Sequence, residues 1–378
     1  MKKTILFCIF ALFFAISSNV KAEITISGYA EFFAGSADQS IASVGTNAPA
    51  TNHAQDKAGM DNGTYTRLTA NYSSTMDNGI DVNGTMGATA RDCQGDKTNN
   101  CNVVNWNFMT LSGGFGAVSV GERFAAGHAM MSRITASGPS AEPDGGNIGA
   151  FYTAGDANYG AFNEVNYADN SMKALYSSNV FSGFSFAVSY APNTSNTGLA
   201  TSRQGQPTAA SSGAFGNFND LISVFGKYAL DIDGIGLELV YGQQMGNAGV
   251  IGTTHYNDLD ETAYSALITY GNFAIDYRKN ESGNSGRPKN DGSGNDEGTS
   301  VCAKYTMGNL GVGACSLESS FTTSSNTTNS ADLTTISAQY DLGGGVSVGA
   351  TYFDIEQEEN SVVATDADGI MTMLSVGF

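Results

Sequence analysis

Along most of this chain, apolar and polar residues alternate with a period of two. In "GIGLELVYG", Ile235, Leu237, Leu239 and Tyr241 share one side and Glu238 lies on the other. In "GFSFAVSYA", Phe184, Phe186, Val188 and Tyr190 oppose Ser185 and Ser189. In "VSVGATYF", Val346, Val348, Ala350 and Tyr352 oppose Ser347 and Thr351. A period of two argues for strands with unlike surroundings on their two faces. Sixteen such stretches are predicted, near 24–34, 63–73, 79–91, 103–112, 115–123, 168–178, 183–191, 219–230, 234–245, 259–270, 273–281, 298–307, 310–320, 332–341, 345–356 and 369–378.

The connections between them are by turns long and short. Long ones run over 35–62, 92–102 and 124–167. Short ones read "TMDNG", "GG" at 113–114, "NVFS", "DIDG", "GN" at 271–272 and 308–309, and "DLGG" reaching Gly344. Asn-Gly, Gly-Asn and Asp-Gly pairs tolerate the positive φ of tight hairpins. This rhythm predicts an all-β fold: a transmembrane antiparallel β-barrel of 16 strands, with short periplasmic turns and long extracellular loops. The chain ends "GIMTMLSVGF", whose apolar even face would be a hazardous free edge in a soluble protein. Pairing with "ITISGYAEFF" closes the barrel, so that Ile370, Leu374, Val376 and Phe378 meet lipid and the odd face meets the lumen. A soluble sandwich shares the alternation but not the rhythm of the connections.

Composition agrees. Glycine supplies 47 of the 378 residues, and Tyr and Phe number 17 and 21. All six prolines, Pro49, Pro139, Pro143, Pro192, Pro207 and Pro288, fall in long connections. Within a barrel strand a proline would remove a ladder donor where no water can replace it. Tyr72, Tyr176, Tyr228, Tyr270, Tyr305 and Tyr340 recur just before short turns, where an aromatic girdle belongs. The first 22 residues have a basic start at Lys2 and Lys3, an apolar run and a small-x-small site at Val20-Lys21-Ala22. They read as a signal peptide, leaving 23–378 as the barrel. Losing its three lysines takes the formal charge from −19 to −22. Such a balance excludes a general nucleic-acid binder. It also suggests a cation-leaning pore, with Glu356, Glu358, Glu359, Asp366 and Asp368 grouped in the expected last outer loop.

At this point the chain resembles a known family, the trimeric 16-stranded general porins of Gram-negative bacteria. "TYTRLTANYSSTMDNGIDV" is similar to their second and third strands. "NFMTLSGGFGAVSVGERF" and "ADNSMKALYSSNVFSGFSFAVSYAP" resemble the hairpins before and after their constriction loop, and "AQYDLGGGVSVGATYFD" resembles their closing strands. The resemblance implies an outer-membrane channel for passive diffusion of small hydrophilic solutes and ions, assembled as a homotrimer in membrane lipid, without a cofactor. It also implies that 124–167 folds into the lumen, bringing Glu142, Asp144 and Asp156 opposite basic wall residues. Strand parity nominates Arg67, Arg91 and Lys173 for that wall. Where the family reads Gly-Arg, this chain reads Gly121-Glu122-Arg123. Either a bulge presents Arg123 or Glu122 replaces that charge.

Other chemistry is weakly signalled. His53, His128 and His255 fall in predicted loops with no Ser-His-acid spacing. "NDGSGNDEG" places Asp291, Ser293, Asn295 and Glu297 at alternate positions, but without the spacing of an EF-hand. A surface receptor or adhesive barrel, or a solute-selective porin, is the alternative to an open channel. Two disulfides are expected. A two-residue turn at Gly308-Asn309 sets Cys302 directly opposite Cys315, facing the lumen, whereas Cys93 and Cys101 flank "QGDKTNN" at an outer loop. Free thiols are the competing reading.

Overall fold

The computed structural model describes residues 23–41, 59–91, 104–131, 134, 148, 151, 171–194, 218–248, 250–251, 253–359 and 362–378. Sixteen strands form one closed antiparallel barrel. They are β1 Glu23–Ile41, β2 Gly59–Thr75, β3 Asp81–Arg91, β4 Val104–Gly113, β5 Gly116–Glu122, β6 Met172–Ser177, β7 Phe184–Asn193 and β8 Asn219–Ile232. Then come β9 Ile235–Asn247, β10 Leu259–Tyr270, β11 Phe273–Gly283, β12 Gly294–Met307, β13 Leu310–Thr322, β14 Thr328–Gly343, β15 Val346–Glu359 and β16 Val362–Gly377. Neighbours in sequence are neighbours in the sheet. The ring closes between β1 and β16, where Phe32 pairs with Leu374 and Ala30 with Val376. Phe378 completes the closure: its N–H donates to the Gly28 carbonyl at 2.9 Å and its own carbonyl accepts from the Gly28 N–H. A closed ladder leaves no edge to be satisfied by lipid.

The two faces differ as the alternation requires. Leu68, Tyr72, Phe184, Tyr228, Leu239, Ile268, Tyr305, Ile336, Tyr340 and Leu374 are all exposed on the outer wall. The Tyr girdle sits there, at the short-turn end. The opposite parity carries Ser119, Lys173, Ser223, Gln244, Glu261, Asp276, Arg278 and Thr351, all buried inside. Among the described residues no helix is long and apolar enough to cross a membrane; the strands do the crossing.

Several strands run further at their long-loop ends than the apolar alternation predicts. β1 reaches Ile41, β14 starts at Thr328 and β16 starts at Val362. These extensions, such as "GSADQSI", carry polar residues on their outward face because the wall continues above the apolar band, where that face meets water; the inward Ala37 and Gln39 are buried. The ladder persists while the hydrophobic pattern stops. In consequence Glu356, Glu358 and Glu359 lie on β15 and Asp366 and Asp368 on β16, not in a loop. Glu356 pairs with Asp366 and Asp354 with Asp368 across the ladder. All four are exposed and share the parity of the outward Tyr352 and Ile370.

Inside, the described parts of the 124–167 segment lie against the inward faces of strands far apart in the ring. A short helix, α1 (Ala126–Met130), packs with Leu175, Ala187, Phe225 and Val240 of β6 to β9. The Ala126 N–H donates to Ser189 Oγ at 3.1 Å and the Gly127 N–H to Ser223 Oγ at 3.2 Å. Wall serines thereby satisfy donors that a helix start leaves orphaned. Ile134 sits with Cys302 and Cys315, and its N–H donates to Asp276 Oδ2 at 3.1 Å. Ile148 and Phe151 bury against Phe33, Leu317, Leu333, Phe353, Ile355 and Met371. Burying each of these three side chains stabilises by roughly 1.5–3 kcal/mol.

The Cys302–Cys315 disulfide is present, between directly paired residues of β12 and β13, with Met307 opposite Leu310 at the Gly308-Asn309 turn. Gly308 adopts φ +55, which suits glycine there. Cys93 and Cys101 lie outside the described residues.

Candidate functional site

Strand parity nominates three wall positions. Arg67 on β2 pairs in register with Tyr29, an inward residue of β1, and hydrogen-bonds its hydroxyl. Its guanidinium lies 3.3 Å from the centroid of the Trp106 ring, two strands away on β4. Arg91, at the end of β3, pairs in register with Tyr65, which stacks on Tyr29 at 5.7 Å. Lys173 on β6 is opposite Gly121, and its Nζ donates to the carbonyls of Arg123 and of Ser171, the latter at 2.6 Å.

The Gly121-Glu122-Arg123 departure falls at the end of β5. Gly121 takes φ +137, a value open to glycine, and the strand ends at Glu122. Glu122 is buried within electrostatic reach of Lys173. Arg123 folds back along the inner wall: its Nη1 donates to Ser119 Oγ at 2.5 Å and its guanidinium lies 4.8 Å from the Phe108 ring centroid. Burial pushes the Arg123 pKa below its ordinary value, but an arginine stays charged at neutral pH. Glu142, Asp144 and Asp156 lie outside the described residues.

The rest of this wall is aromatic. Phe124 meets the Trp106 ring edge-on at 5.0 Å and stacks on His128 at 3.8 Å with a 7° tilt. Sequence reasoning missed Tyr29, Trp106, Phe108, Phe124 and His128. A signal was available for two of them. Trp106 and Phe108 share the parity of Thr110 and Ser112, so they are aromatic residues on an otherwise polar face. Nothing comparable marks Phe124 or His128, which follow the end of a strand.

Elsewhere on the wall, basic groups meet carboxylates. Lys227 pairs with Glu238 at 3.1 Å, Arg278 with Asp276 at 3.2 Å, and Arg287 with Asp296 at 3.0 Å. Asp291 accepts hydrogen bonds from the N–H and the hydroxyl of Ser293, so the "NDGSG" stretch is an ordered turn. Among the described residues no group of three potential ligands is placed to hold a metal.

A barrel of this size, with a polar charged interior and an apolar outer band, is the form of a membrane channel. A family model described as Gram-negative porin matches residues 8–360. The chain belongs to the Gram-negative porins. No curated protein matches this porin in sequence. Among solved structures it is similar to an anion-selective porin from Comamonas acidovorans, with TM-score 0.63 and 14% identity over 95% of this chain and 100% of that one. It is also similar to in-vitro folded OmpT of Vibrio cholerae in a trimer form, with TM-score 0.61 and 10% identity over 94% and 99%. At such identities the likeness concerns the fold. Family and fold make this porin an outer-membrane diffusion channel rather than an enzyme.

Proposed function

We propose that this porin passes small hydrophilic solutes and ions passively through a lumen narrowed by the 124–167 segment, with Arg67, Arg91, Arg123 and Lys173 on one side of the passage and Glu142, Asp144 and Asp156 on the other. The observation that supports this reading is the burial of Ile134, Ile148 and Phe151 against inward-facing residues on well-separated strands. At these points the segment lies inside the barrel. The mature chain starts after Ala22 and assembles as a homotrimer, as the trimer form of the Vibrio cholerae neighbour suggests. Purified protein added to a planar bilayer should give stepwise conductance that rises with salt concentration. An absence of steps from folded, sheet-rich protein would refute the reading.

The cation lean now has a narrower basis. It rests on exposed carboxylates at the outer rim, including Asp354, Glu356, Asp366 and Asp368, which concentrate cations near the mouth. Reversal potentials across a salt gradient decide it, and a chloride preference at low salt would remove the idea.

A further inference from the structure

Arg67 and Arg123, on the β2 to β5 wall, differ from several other described cations in what they touch. Arg67 lies on Trp106 and bonds Tyr29; Arg123 lies on Phe108 and bonds Ser119. Among the described residues neither pairs with a carboxylate, whereas Lys227, Arg278, Lys279 and Arg287 all do. Trp106 and Phe108 are two residues apart on one face of β4, so the guanidinium groups sit over neighbouring rings, whose Cα atoms are about 7 Å apart. Arg67, Trp106, Phe108, Arg123, Phe124 and His128 are all half-buried, so the strands do not close them off from the lumen. The Nε atoms of both arginines are buried without a hydrogen-bond partner. Two partly desolvated guanidinium groups, with no carboxylate partner among the described residues and set among stacked rings, form a surface for a flat anion. A carboxylate suits the donor forks, and an aromatic ring suits the exposed rings and guanidinium planes.

We propose that this wall is a binding subsite for aromatic carboxylates, with the carboxylate held between Arg67 and Arg123 and the ring lying against Trp106 and Phe124. The subsite rests on the reading of the lumen as the solute path, and it makes the porin favour one class of solute within a broad diffusion channel. An aliphatic carboxylate would keep the charge contact and lose the ring contact. A neutral aromatic would keep only the ring contact.

The chain holds a single tryptophan, Trp106, so its fluorescence reports on this wall alone. Full-length protein in detergent micelles is titrated with 4-nitrobenzoate, with neutral 4-nitrobenzyl alcohol and cationic 4-nitrobenzylammonium as controls. The expected result is saturable quenching by 4-nitrobenzoate at least tenfold tighter than by either control. Benzoate should reverse it, and cyclohexanecarboxylate should do so several-fold less well. Arg67→Gln combined with Arg123→Gln should abolish the preference for the anion. Equal quenching by the three probes in the wild-type protein overturns the subsite whether or not the double variant folds, and equal reversal by benzoate and cyclohexanecarboxylate overturns its aromatic part. Conductance of the same preparation in potassium chloride tests the channel separately. A conducting pore with equal quenching loses only the subsite, and selective quenching without conductance loses only the channel.

Discussion

Two sides of the same barrel handle buried charge in different ways. On β10 to β13, cations are matched by carboxylates and the match is used to hold other parts in place. Asp276 forms an ion pair with Arg278 and accepts from the N–H of Ile134, and Asn280 donates to Glu261 at 3.1 Å. On β2 to β6, Arg67 and Arg123 meet rings and hydroxyls instead. Both sides are wall, and both are built from strands with the same alternation. Matched charge is consumed in structure, whereas charge partnered by aromatic groups keeps most of its field for a passing solute. The first side should therefore respond to mutation in stability, and the second in selectivity.

The sharpest way to break that contrast is Asp276→Ala. Asp276 and Arg278 are 0% and 1% exposed at the side chain, so the substitution strands a buried guanidinium and removes the acceptor for Ile134. Losing one partner of a buried pair costs about 3–5 kcal/mol. Denaturant unfolding of the purified barrel should register a loss of that order, and single channels should become noisier as the segment loosens at Ile134. Unchanged stability would mean that the matched pair holds nothing.

Next in size is the disulfide, on the same side. The sequence suggests a small effect, because the ladder already holds Cys302 opposite Cys315. That accounts only for the folded state. In the chain-entropy picture a crosslink closing a ring of this size acts on the unfolded chain and is worth about 3 kcal/mol. Cys302→Ala with Cys315→Ala should lower unfolding stability by about 2–3 kcal/mol, while the reversal potential stays fixed. A changed reversal potential would show that this side also sets selectivity.

The pattern of the chain made the barrel legible and left much of the lumen hidden, for one physical reason. Strand identity, facing and register follow from a period of two and from turn residues, which are local. Thus the register at Gly308-Asn309 placed Cys302 against Cys315, and parity put Arg67 and Lys173 inside. What a wall residue touches is set by elements remote in sequence. Nothing in "TYTRLTANY" shows that the Arg67 partner is Trp106, or that Ile134 seats on a disulfide far along the chain. Gly121-Glu122-Arg123 lay between these cases. The sequence exposed the departure, but only the backbone at the end of β5, with Gly121 at φ +137, decides that Arg123 reaches Ser119 while Glu122 is buried near Lys173. Strand ends were misplaced where the wall rises into water and the ladder outlasts the apolar pattern.

On the aromatic side the expected effect is smaller in energy and different in kind. Arg67→Gln with Arg123→Gln should move the permeability ratio toward cations by about fivefold, near 1 kcal/mol, with stability less affected than by Asp276→Ala. Reversal potentials across a potassium chloride gradient measure it. An unmoved ratio would mean that the ions never approach this wall.

The smallest effect comes from a cation that is matched but faces outward. Lys279 lies on β11, one residue from Arg278 and on the opposite face, where it pairs with Glu281 at 2.7 Å and Glu297 at 3.1 Å. Its side chain keeps 21% of its exposure and each partner 49%, so water screens the pairs. Exposed ion pairs contribute from nothing to about 1 kcal/mol. Lys279→Gln should therefore change unfolding stability by less than about 1 kcal/mol and leave conductance and reversal potential alone. Asp276→Ala, in the same strand, is expected to do far more. If Lys279→Gln instead shifts the reversal potential, ions meet that face and the inside-outside assignment of β11 is wrong. If it destabilises as much as Asp276→Ala, pairing rather than burial carries the difference between the two sides.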